Sequence, residues 1–393
     1  MQKSYMDRIA ATPLDPQVYA SMLPFLKQDF GNPQSLHTWG QKSNDALETA
    51  RQQVARLIHA EPEEIVFTAS GSESNNLAVK GLAEAKRKQG NHILVSAIEH
   101  LSVLNAAQKL EKKGFQVDLI PVDKHGLIDL AFLKRSIKEE TVLVSVMLAN
   151  SEVGTIEPIE KVAEICHEKG ALLHTDAVAA VGSIGVDVKK LGVDALSLSG
   201  DQFYGPKGSA ALYIKKGTRL VSLIDGGVQE GGRRAGSENI PAVVGLGKAA
   251  ELAEKAMPER MEKVTKVRDL LLRGLPEKIE HVVITGHPKK RLPYHASFCV
   301  EFIEGESMLL NLDMLGIAVS SGSACTSKAL RASHVLIAMG LDHALAQSSL
   351  VFSLLDETSQ EDIDYLLEVF PPVVERLRKM SPLYSQYLEE KQK

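Results

Sequence analysis

The stretch LSLSGDQFYGPKGSAALY, residues 196–213, carries the pattern that decides the fold. An apolar run ends in polar residues, a turn rich in glycine and proline follows, and a second apolar run then begins. This order predicts a buried strand, a turn at its carboxyl end and a returning strand. Because open α/β sheets bind ligands at the carboxyl ends of their strands, the turn marks a candidate binding site.

The same alternation extends from about residue 43 to residue 257. Strand-sized apolar runs are separated by helical segments such as SVLNAAQKLEKKG and PIEKVAEICHEKG, which end in glycine as helices often do. The predicted strands are EIVFTAS, HILVSAI, QVDLIPV, TVLVSVML, GALLHTD, ALSLSG and SAALYI. Strands that alternate with helices predict an α/β fold, in which helices cover both faces of a mostly parallel sheet.

The length of 393 residues predicts more than one domain. After Pro258 the pattern changes to a charged helix at about residues 259–275, short strands at HVVITG and HASFCVEF, a helix at ESMLLNLDMLG and a helical tail from Gln360. We therefore expect a large domain over residues 14–257. The small α+β domain is expected to combine residues 1–13 with residues 258–393.

Composition argues against several classes of function. A hydrophobic share of 44% with 24% charged residues is typical of a soluble globular protein, and a net charge of −5 gives no electrostatic reason to expect nucleic acid or an anionic membrane as a partner. The apolar runs are strand-sized, and the first residues lack the apolar core of a signal peptide. Three cysteines without CxxC spacing argue against a disulfide framework or a structural zinc site. We expect a cytoplasmic protein with reduced thiols.

Two polar clusters follow predicted strands. Ser72 lies in the turn TASGSESNN, where backbone N–H groups at a helix N-terminus suit a phosphate, although a plain capped helix start explains the pattern equally well. Asp176 comes directly after the apolar part of LLHTDAVAAVG, an unfavourable place for a carboxylate without a nearby cation. Either a protonated ring nitrogen of a cofactor or an arginine would supply that cation.

One histidine and three cysteines complete the candidates. His100 lies at a strand-to-helix junction in IEHLSVL, where a lone histidine is more often a capping or structural group than a catalytic one. Cys325 lies in the Ser/Gly-rich segment VSSGSACTSKAL, and the nearby Lys328 favours the thiolate, so this cysteine is predicted to be accessible and reactive. Cys166, on a helical period, and Cys299, in a strand run, are predicted to be core residues.

Together and in this order, these motifs resemble the pyridoxal-phosphate-dependent cysteine desulfurases of the class V aminotransferase-like group, the NifS/IscS type. The resemblance extends from FGNPQSLHTWG through ASGSESNNLA, NSEVGTIEP, YGPKGSAALY and GRRAGSENIPAVVG to SGSACTS. It implies fold type I of the pyridoxal-phosphate (PLP) enzymes: a large domain with a mostly parallel seven-stranded sheet, and a smaller α+β domain. It also implies a homodimer, in which Ser237, beside Arg234, contacts a phosphate bound by the other subunit.

The resemblance also implies roles for individual residues. His100 matches the histidine that stacks on the cofactor ring, and Asp176 matches the carboxylate that holds its pyridinium nitrogen. Ser72 and Ser199 match phosphate ligands. Cys325 matches the cysteine that attacks the sulfur of the substrate, L-cysteine, and becomes a persulfide.

The chain departs from the family at the residue that forms the Schiff base. The family has Ser-x-His-Lys before the GPKG turn, whereas this chain has Asp201 and Gln202 at the last two positions. An amide forms no imine and moves no α-proton, and a carboxylate repels a phosphate. Lys207 belongs to the GPKG turn that the family shares, so it is not an obvious substitute. Three further positions depart from the family. Ser151 lies where the family has an Asn that contacts the cofactor, and Ala179 lies where it has the Gln that bonds the phenolic oxygen of the cofactor. Val351 lies where the family has the Arg that clamps the substrate carboxylate.

Three interpretations follow. In the first, which we expect, the protein keeps the fold, the dimer and Cys325 but has lost the Schiff-base cycle. It then serves iron–sulfur cluster assembly or sulfur transfer with a scaffold protein or another sulfur acceptor, and Cys325 holds a persulfide or ligates the iron of a shared [2Fe–2S] cluster. In the second, it is an active desulfurase that converts L-cysteine to L-alanine and a persulfide with non-covalent PLP, and His100 or another base moves the protons. In the third, it is a non-catalytic binding or regulatory protein.

For the cofactor, we expect PLP to be held weakly and without a covalent link, or to be absent. The residues predicted to contact it are Ser72, His100, Asp176, Ser199, Gln202 and Ser237.

Overall fold

A computed structural model of the chain describes residues 3–322 and 332–391. The described strands are β1 Ser4–Tyr5, β2 Ile65–Thr68, β3 His92–Ser96, β4 Gln116–Ile120, β5 Thr141–Ser145, β6 Leu172–Asp176, β7 Ala195–Ser199, β8 Ala210–Ile214, β9 Val282–Ile284, β10 His295–Val300, β11 Ile317–Ala318 and β12 Ser349–Ser353. The described α-helices are α1 Pro16–Lys27, α2 Thr38–Leu57, α3 Gly71–Ala85, α4 Leu101–Glu111, α5 Leu130–Ser136, α6 Ile159–Glu168, α7 Val188–Leu191, α8 Ile240–Lys278, α9 Gly305–Met314, α10 His334–Ala338, α11 His343–Gln347, α12 Gln360–Lys379 and α13 Pro382–Lys391.

The predicted fold class is confirmed. The central sheet has seven strands in the order β2-β8-β7-β6-β5-β3-β4, and these are the seven predicted runs. Neighbours from β4 to β7 are parallel, whereas β8 is antiparallel to both β7 and β2. Successive residues of β3 pack into opposite core clusters, Ile93 on one face and Leu94 on the other. Apolar clusters on both faces explain why the inner strands are almost continuously apolar in sequence.

Glycine ends the two helical segments that the sequence singled out. Gly114, after α4, has a φ of 86°, and Gly170, after α6, has a φ of 75°. Because this left-handed conformation is unfavourable for residues with a Cβ atom, glycine permits the chain to turn back into the next strand. The predicted helix ends are confirmed at both positions.

The second part of the chain forms a smaller antiparallel sheet in the order β12-β10-β9. The N-terminal segment lies beside this sheet, since Asp7 bridges to Ser353 of β12, and β1 pairs with β11 in a separate two-stranded sheet. The prediction of a separate helix from about residue 259 is wrong, because α8 is continuous from residue 240 to residue 278 and contains Pro258. Buried apolar residues along α8 hold it in one piece across that proline. The division of the chain at residue 257 stays a prediction.

No described helix has the length and apolar character that a membrane crossing requires.

Candidate functional site

A cavity of about 470 Å³ lies at the carboxyl ends of the central strands. Asp176 ends β6 and Ser199 ends β7, and His100 follows β3 by a short turn. All three side chains line the cavity, together with Ser320 and Val351 from the second part of the chain. The site therefore lies where the strand order predicted it.

Asp176 is held by two donors. Its Oδ1 accepts a hydrogen bond from the Val178 N–H at 3.0 Å, and its Oδ2 accepts one from Asn75 Nδ2 at 2.6 Å. Burial, the largest cause, raises the pKa of the Asp176 carboxyl. Within the described residues no arginine or lysine pairs with this carboxylate, so the arginine considered from the sequence is not found there.

His100 caps α4 and also faces the cavity. Its Nδ1 accepts a hydrogen bond from the Ser102 N–H at 3.1 Å and lies 2.7 Å from Ser102 Oγ. Ser102 Oγ in turn accepts a hydrogen bond from Asn75 Nδ2 at 2.9 Å. A chain of polar contacts thus links His100 through Ser102 and Asn75 to Asp176. We call these four residues the aspartate end.

The side chain of Gln202 is hydrogen-bonded within the protein. Gln202 is 8% exposed, and its Nε2 donates to the Ile9 carbonyl oxygen at 3.1 Å. Behind it lies the buried Arg8, whose Nη2 donates to Ser183 Oγ at 2.9 Å and to the Gln202 carbonyl oxygen at 3.5 Å. The side chain at the family's lysine position is therefore hydrogen-bonded to the Ile9 backbone, and the buried cation Arg8 lies next to it.

Ser199 is also committed to an internal partner. Its Oγ donates to Asp201 Oδ1 at 2.5 Å, in the turn that follows β7. We call Ser199, Asp201, Gln202 and Arg8 the glutamine end of the cavity. A carboxylate from the chain itself thus occupies the hydroxyl that the resemblance assigned to a phosphate.

The start of α3 shows a similar arrangement. Ser70 caps the helix, and Glu73 accepts a hydrogen bond from the Ala69 N–H at 2.8 Å. The other Glu73 oxygen pairs with Arg234 Nε at 2.8 Å, so Arg234 faces an internal carboxylate. Ser72 lines the cavity, and its role as a phosphate ligand stays a prediction.

Ser237 lies outside the cavity. It is exposed and is not one of the residues that line the cavity of this chain. A single chain does not test its predicted contact with the other subunit.

Carboxyl groups outnumber the other titratable groups in the described lining of the cavity. Its described lining contains no lysine or arginine, and Lys207 is exposed and lies outside the lining. Five lining residues carry carboxyl groups: Asp7, Glu99, Glu152, Asp176 and Asp201. Burial raises the pKa of Glu99 well above its ordinary value and that of Glu152 to about 7.

Sequence reasoning missed several of these acidic residues. Glu99 precedes His100, and Glu152 follows Ser151, so each lies beside a residue that had been singled out. The signal was a charged residue next to an apolar strand, which is unusual for a group that burial destabilises.

The three further departures all line the cavity. Ser151, Ala179 and Val351 are among its walls, and the contacts assigned to these positions by the resemblance stay predictions. Val351 is 2% exposed and packs in β12. An apolar side chain there offers no charge to a substrate carboxylate.

Two of the three cysteines are core residues, as predicted. Cys166 and Cys299 are fully buried, and burial raises the pKa of each thiol to about 12. Neither is a thiolate at neutral pH. Cys325, predicted as the reactive thiol and as an iron–sulfur ligand, lies outside the described residues.

The cofactor that the resemblance implies does not fit this cavity as a covalently held phosphate ester. No described lining residue offers an amine, and Gln202 is bonded to Ile9. At the phosphate position, Ser199 already donates to the carboxylate of Asp201. Within the described lining, the aspartate end matches the cofactor, through the buried carboxylate of Asp176.

Comparison with known proteins supports this fold. The family model described as aminotransferase class V matches residues 4–366. A protein named cysteine desulfurase IscS from Clostridium botulinum is 49% identical over 391 residues, covering 99% of this chain and 98% of the relative. A protein named cysteine desulfurase IscS 1 from Archaeoglobus fulgidus is 48% identical over 380 residues, covering 97% of this chain and 99% of the relative.

A solved structure is also similar over nearly the whole chain. A NifS-like protein has a TM-score of 0.90 at 36% identity, and the match covers 96% of this chain and 100% of that one. The similarity therefore includes both the central sheet and the smaller antiparallel sheet.

Proposed function

Since this chain belongs to the class V aminotransferase family, we propose that it acts in sulfur transfer for iron–sulfur cluster assembly through the thiolate of Cys325. The relatives named cysteine desulfurase support a sulfur-handling role over a purely regulatory one. The observation that carries the altered mechanism is Gln202: its amide is bonded to the Ile9 carbonyl where the family has its lysine.

Elimination supports Cys325 as the working group. The chain has three cysteines, and burial keeps Cys166 and Cys299 protonated at neutral pH. A sulfur carrier needs a thiolate, because the thiolate is both the nucleophile and the metal ligand. Only Cys325 remains for that role.

The transfer step needs no amine and no oxidant. The Cys325 thiolate attacks the outer sulfur of a donor persulfide, and a new S–S bond forms as the S–S bond of the donor breaks. The electron pair of the broken bond leaves on the donor thiolate. Cys325 then passes the outer sulfur to a scaffold protein or another acceptor by the same exchange, or it ligates the iron of a [2Fe–2S] cluster that the scaffold presents.

The cofactor proposal follows from the cavity. The family implies PLP, and we propose that this chain holds it weakly and without a covalent link, or lacks it. The aspartate end supports contact with a ring nitrogen through Asp176, whereas Asp201 places a carboxylate where the phosphate would lie. The homodimer, with Ser237 and Arg234 near the other subunit, and a cytoplasmic location are parts of the same proposal.

A labelling experiment tests the proposed role of Cys325. The full chain is treated with a low-molecular-weight persulfide, alkylated and digested, and the sulfane sulfur is located by mass spectrometry; cluster assembly on a scaffold protein is then measured. We expect Cys325→Ser to lose both the label and the assembly activity, and we expect Cys166→Ala and Cys299→Ala to keep both. Full cluster assembly by the Cys325→Ser variant would refute the proposal.

Alanine release separates the proposal from an active desulfurase. The chain is incubated with L-cysteine, with and without added PLP, and alanine is quantified. We expect no alanine above the background of free PLP, because no described cavity residue supplies the amine. Alanine production that depends on the protein would instead support the active desulfurase.

A further inference from the structure

The aspartate end and Glu99, which lines the same cavity, contain polar atoms that lack a described partner. Among the described residues, Asn75 Oδ1 and Glu99 Oε2 have no hydrogen bond, although Asn75 is 1% exposed and Glu99 is fully buried. Both residues line the cavity. A buried polar atom without a partner costs about 1–3 kcal/mol, so these atoms favour a ligand that brings hydrogen-bonding groups.

The glutamine end lacks this unused capacity. Ser199 donates to Asp201, and Gln202 donates to Ile9. Ser199 also lies beside the start of α3, since a Cβ atom added at Gly71 would be 3.7 Å from Ser199 Cβ. The carboxylate of Asp201 is therefore bonded to the hydroxyl beside this helix N-terminus, where an external anion would otherwise be attracted.

The composition of the described lining favours the same kind of ligand. Five carboxyl-bearing side chains line it, and its described lining contains neither lysine nor arginine. A phosphate dianion at Ser199 would lie beside the Asp201 carboxylate, and no lysine or arginine of the described lining would offset the repulsion. A positive group would instead offset the unfavourable burial of Asp176.

The remaining walls suit a flat apolar body. Ile98, Met147 and Val351 contribute apolar surface, and the His100 ring faces the same space. Binding sites for small molecules combine such walls with a few polar groups that fix orientation. Here the polar groups are Asp176 and its neighbours.

From this arrangement we propose that the cavity binds a positively charged aromatic base that carries no phosphate, with Asp176 accepting a hydrogen bond from the charged nitrogen. Asn75 Oδ1 accepts a second hydrogen bond from the ligand, and Glu99 donates one to it. The ligand class therefore differs from the phosphorylated cofactor that the family implies. This inference goes beyond the proposed sulfur transfer and does not depend on Cys325.

Two probes that differ only in the phosphate test the inference. Pyridoxamine and pyridoxamine 5′-phosphate share the ring and the aminomethyl group, and neither has the aldehyde that reacts with surface lysines. Isothermal titration calorimetry of the full chain measures both. We expect pyridoxamine to bind at least about tenfold more tightly than its phosphate, because the Asp201 carboxylate opposes only the latter.

Variants assign the effect to the two ends of the cavity. Asp201→Asn should improve binding of the phosphate and leave pyridoxamine unchanged, whereas Asp176→Asn should weaken pyridoxamine about tenfold without changing the circular dichroism spectrum. Cys325→Ser should change neither affinity, which separates this inference from the proposed function. Equal or tighter binding of the phosphate, or no binding of either probe, would overturn the inference.

Discussion

The two ends of the cavity lie on neighbouring strands and differ in how completely they are satisfied. At the aspartate end, β6 terminates in a buried carboxylate beside an amide oxygen that has no described partner. At the glutamine end, β7 leads into Ser199 and Gln202, whose side chains are bonded to Asp201 and to the Ile9 carbonyl. One end retains capacity for a ligand, and the other is closed by the chain itself.

This difference indicates which side chains are available to a ligand and which ones stabilise the fold. Groups kept for a ligand are held in an environment that is unfavourable without it, whereas groups that support only the fold find internal partners. We therefore expect substitutions at the aspartate end to stabilise the folded chain and substitutions at the glutamine end to destabilise it.

The largest effect is expected from Arg8→Met, behind the glutamine end. Arg8 is fully buried, bonds to Ser183 and pairs with Asp356 at 3.3 Å, and its guanidinium lies 4.3 Å from the Tyr294 ring centre. Breaking a buried pair costs about 3 kcal/mol of unfolding free energy. Urea denaturation monitored by circular dichroism measures the loss.

Arg260→Met is the matched control for Arg8. Arg260 contacts the same carboxylate, Asp356, at 3.1 Å and lies 5.1 Å from the Tyr204 ring centre, but its side chain is 29% exposed. The expected loss is below about 1 kcal/mol. Equal losses of unfolding free energy for the two variants would contradict the larger structural contribution that we assign to the buried Arg8.

The second largest effect is a gain in unfolding free energy rather than a loss. Asp176→Asn should stabilise the ligand-free chain by about 1 kcal/mol at mildly alkaline pH. The variant keeps the hydrogen bond from Val178, and a flip of the Asn75 amide lets its Oδ1 accept from the new amide in exchange for the Nδ2 bond to Ser102. Thermal and urea unfolding check the change.

The pH dependence of that gain follows from the raised pKa of Asp176. Because the folded pKa lies above the ordinary value of 3.8, the folded chain binds the proton more tightly, so stability falls as pH rises through the folded pKa. The advantage of Asp176→Asn should therefore grow with pH. The control Asp201→Asn, which weakens the bond to Ser199, should lose about 1 kcal/mol; loss of stability in both variants would contradict the comparison.

The smallest effect is expected from Glu99→Gln. Burial raises the pKa of Glu99 well above its ordinary value, and the Met147 N–H donates to its Oε1 at 2.5 Å. A neutral glutamine keeps that bond, so at mildly acidic pH the unfolding free energy should change by less than about 0.5 kcal/mol. Glu99→Ala, which removes the acceptor, should lose about 2 kcal/mol. A large loss for the glutamine variant would mean that the carboxyl is ionised.

The central sheet was predictable because its signals are local. Each strand is a short apolar run, and Gly114 and Gly170 mark helix ends in the sequence itself. The start of α8 was not predictable, because packing of its apolar face against the core overrides the proline at residue 258. Local propensity yields to tertiary packing there.

The site likewise has parts that could be predicted from the sequence and parts that could not. Asp176, His100 and Gln202 line one cavity because strand ends meet at one edge of a parallel sheet, and this grouping could be expected from the sequence, whereas the roles assigned to them stay predictions. Arg8 and Ile9, which hold Gln202, were missed because they lie far from it in the chain. The bond between Ser199 and Asp201 joins residues two apart, and their spacing at a strand end was the signal that could have revealed it.

The claim that the glutamine end forms no covalent link to a cofactor is tested most directly by reductive trapping. The native chain is incubated with PLP, reduced with borohydride and digested, and every lysine peptide is analysed by mass spectrometry. The double variant Asp201→His with Gln202→Lys serves as the positive control and should carry a pyridoxyl group at position 202. We predict no adduct at a defined lysine of the native chain, Lys207 included; a stoichiometric adduct at one lysine would contradict the account.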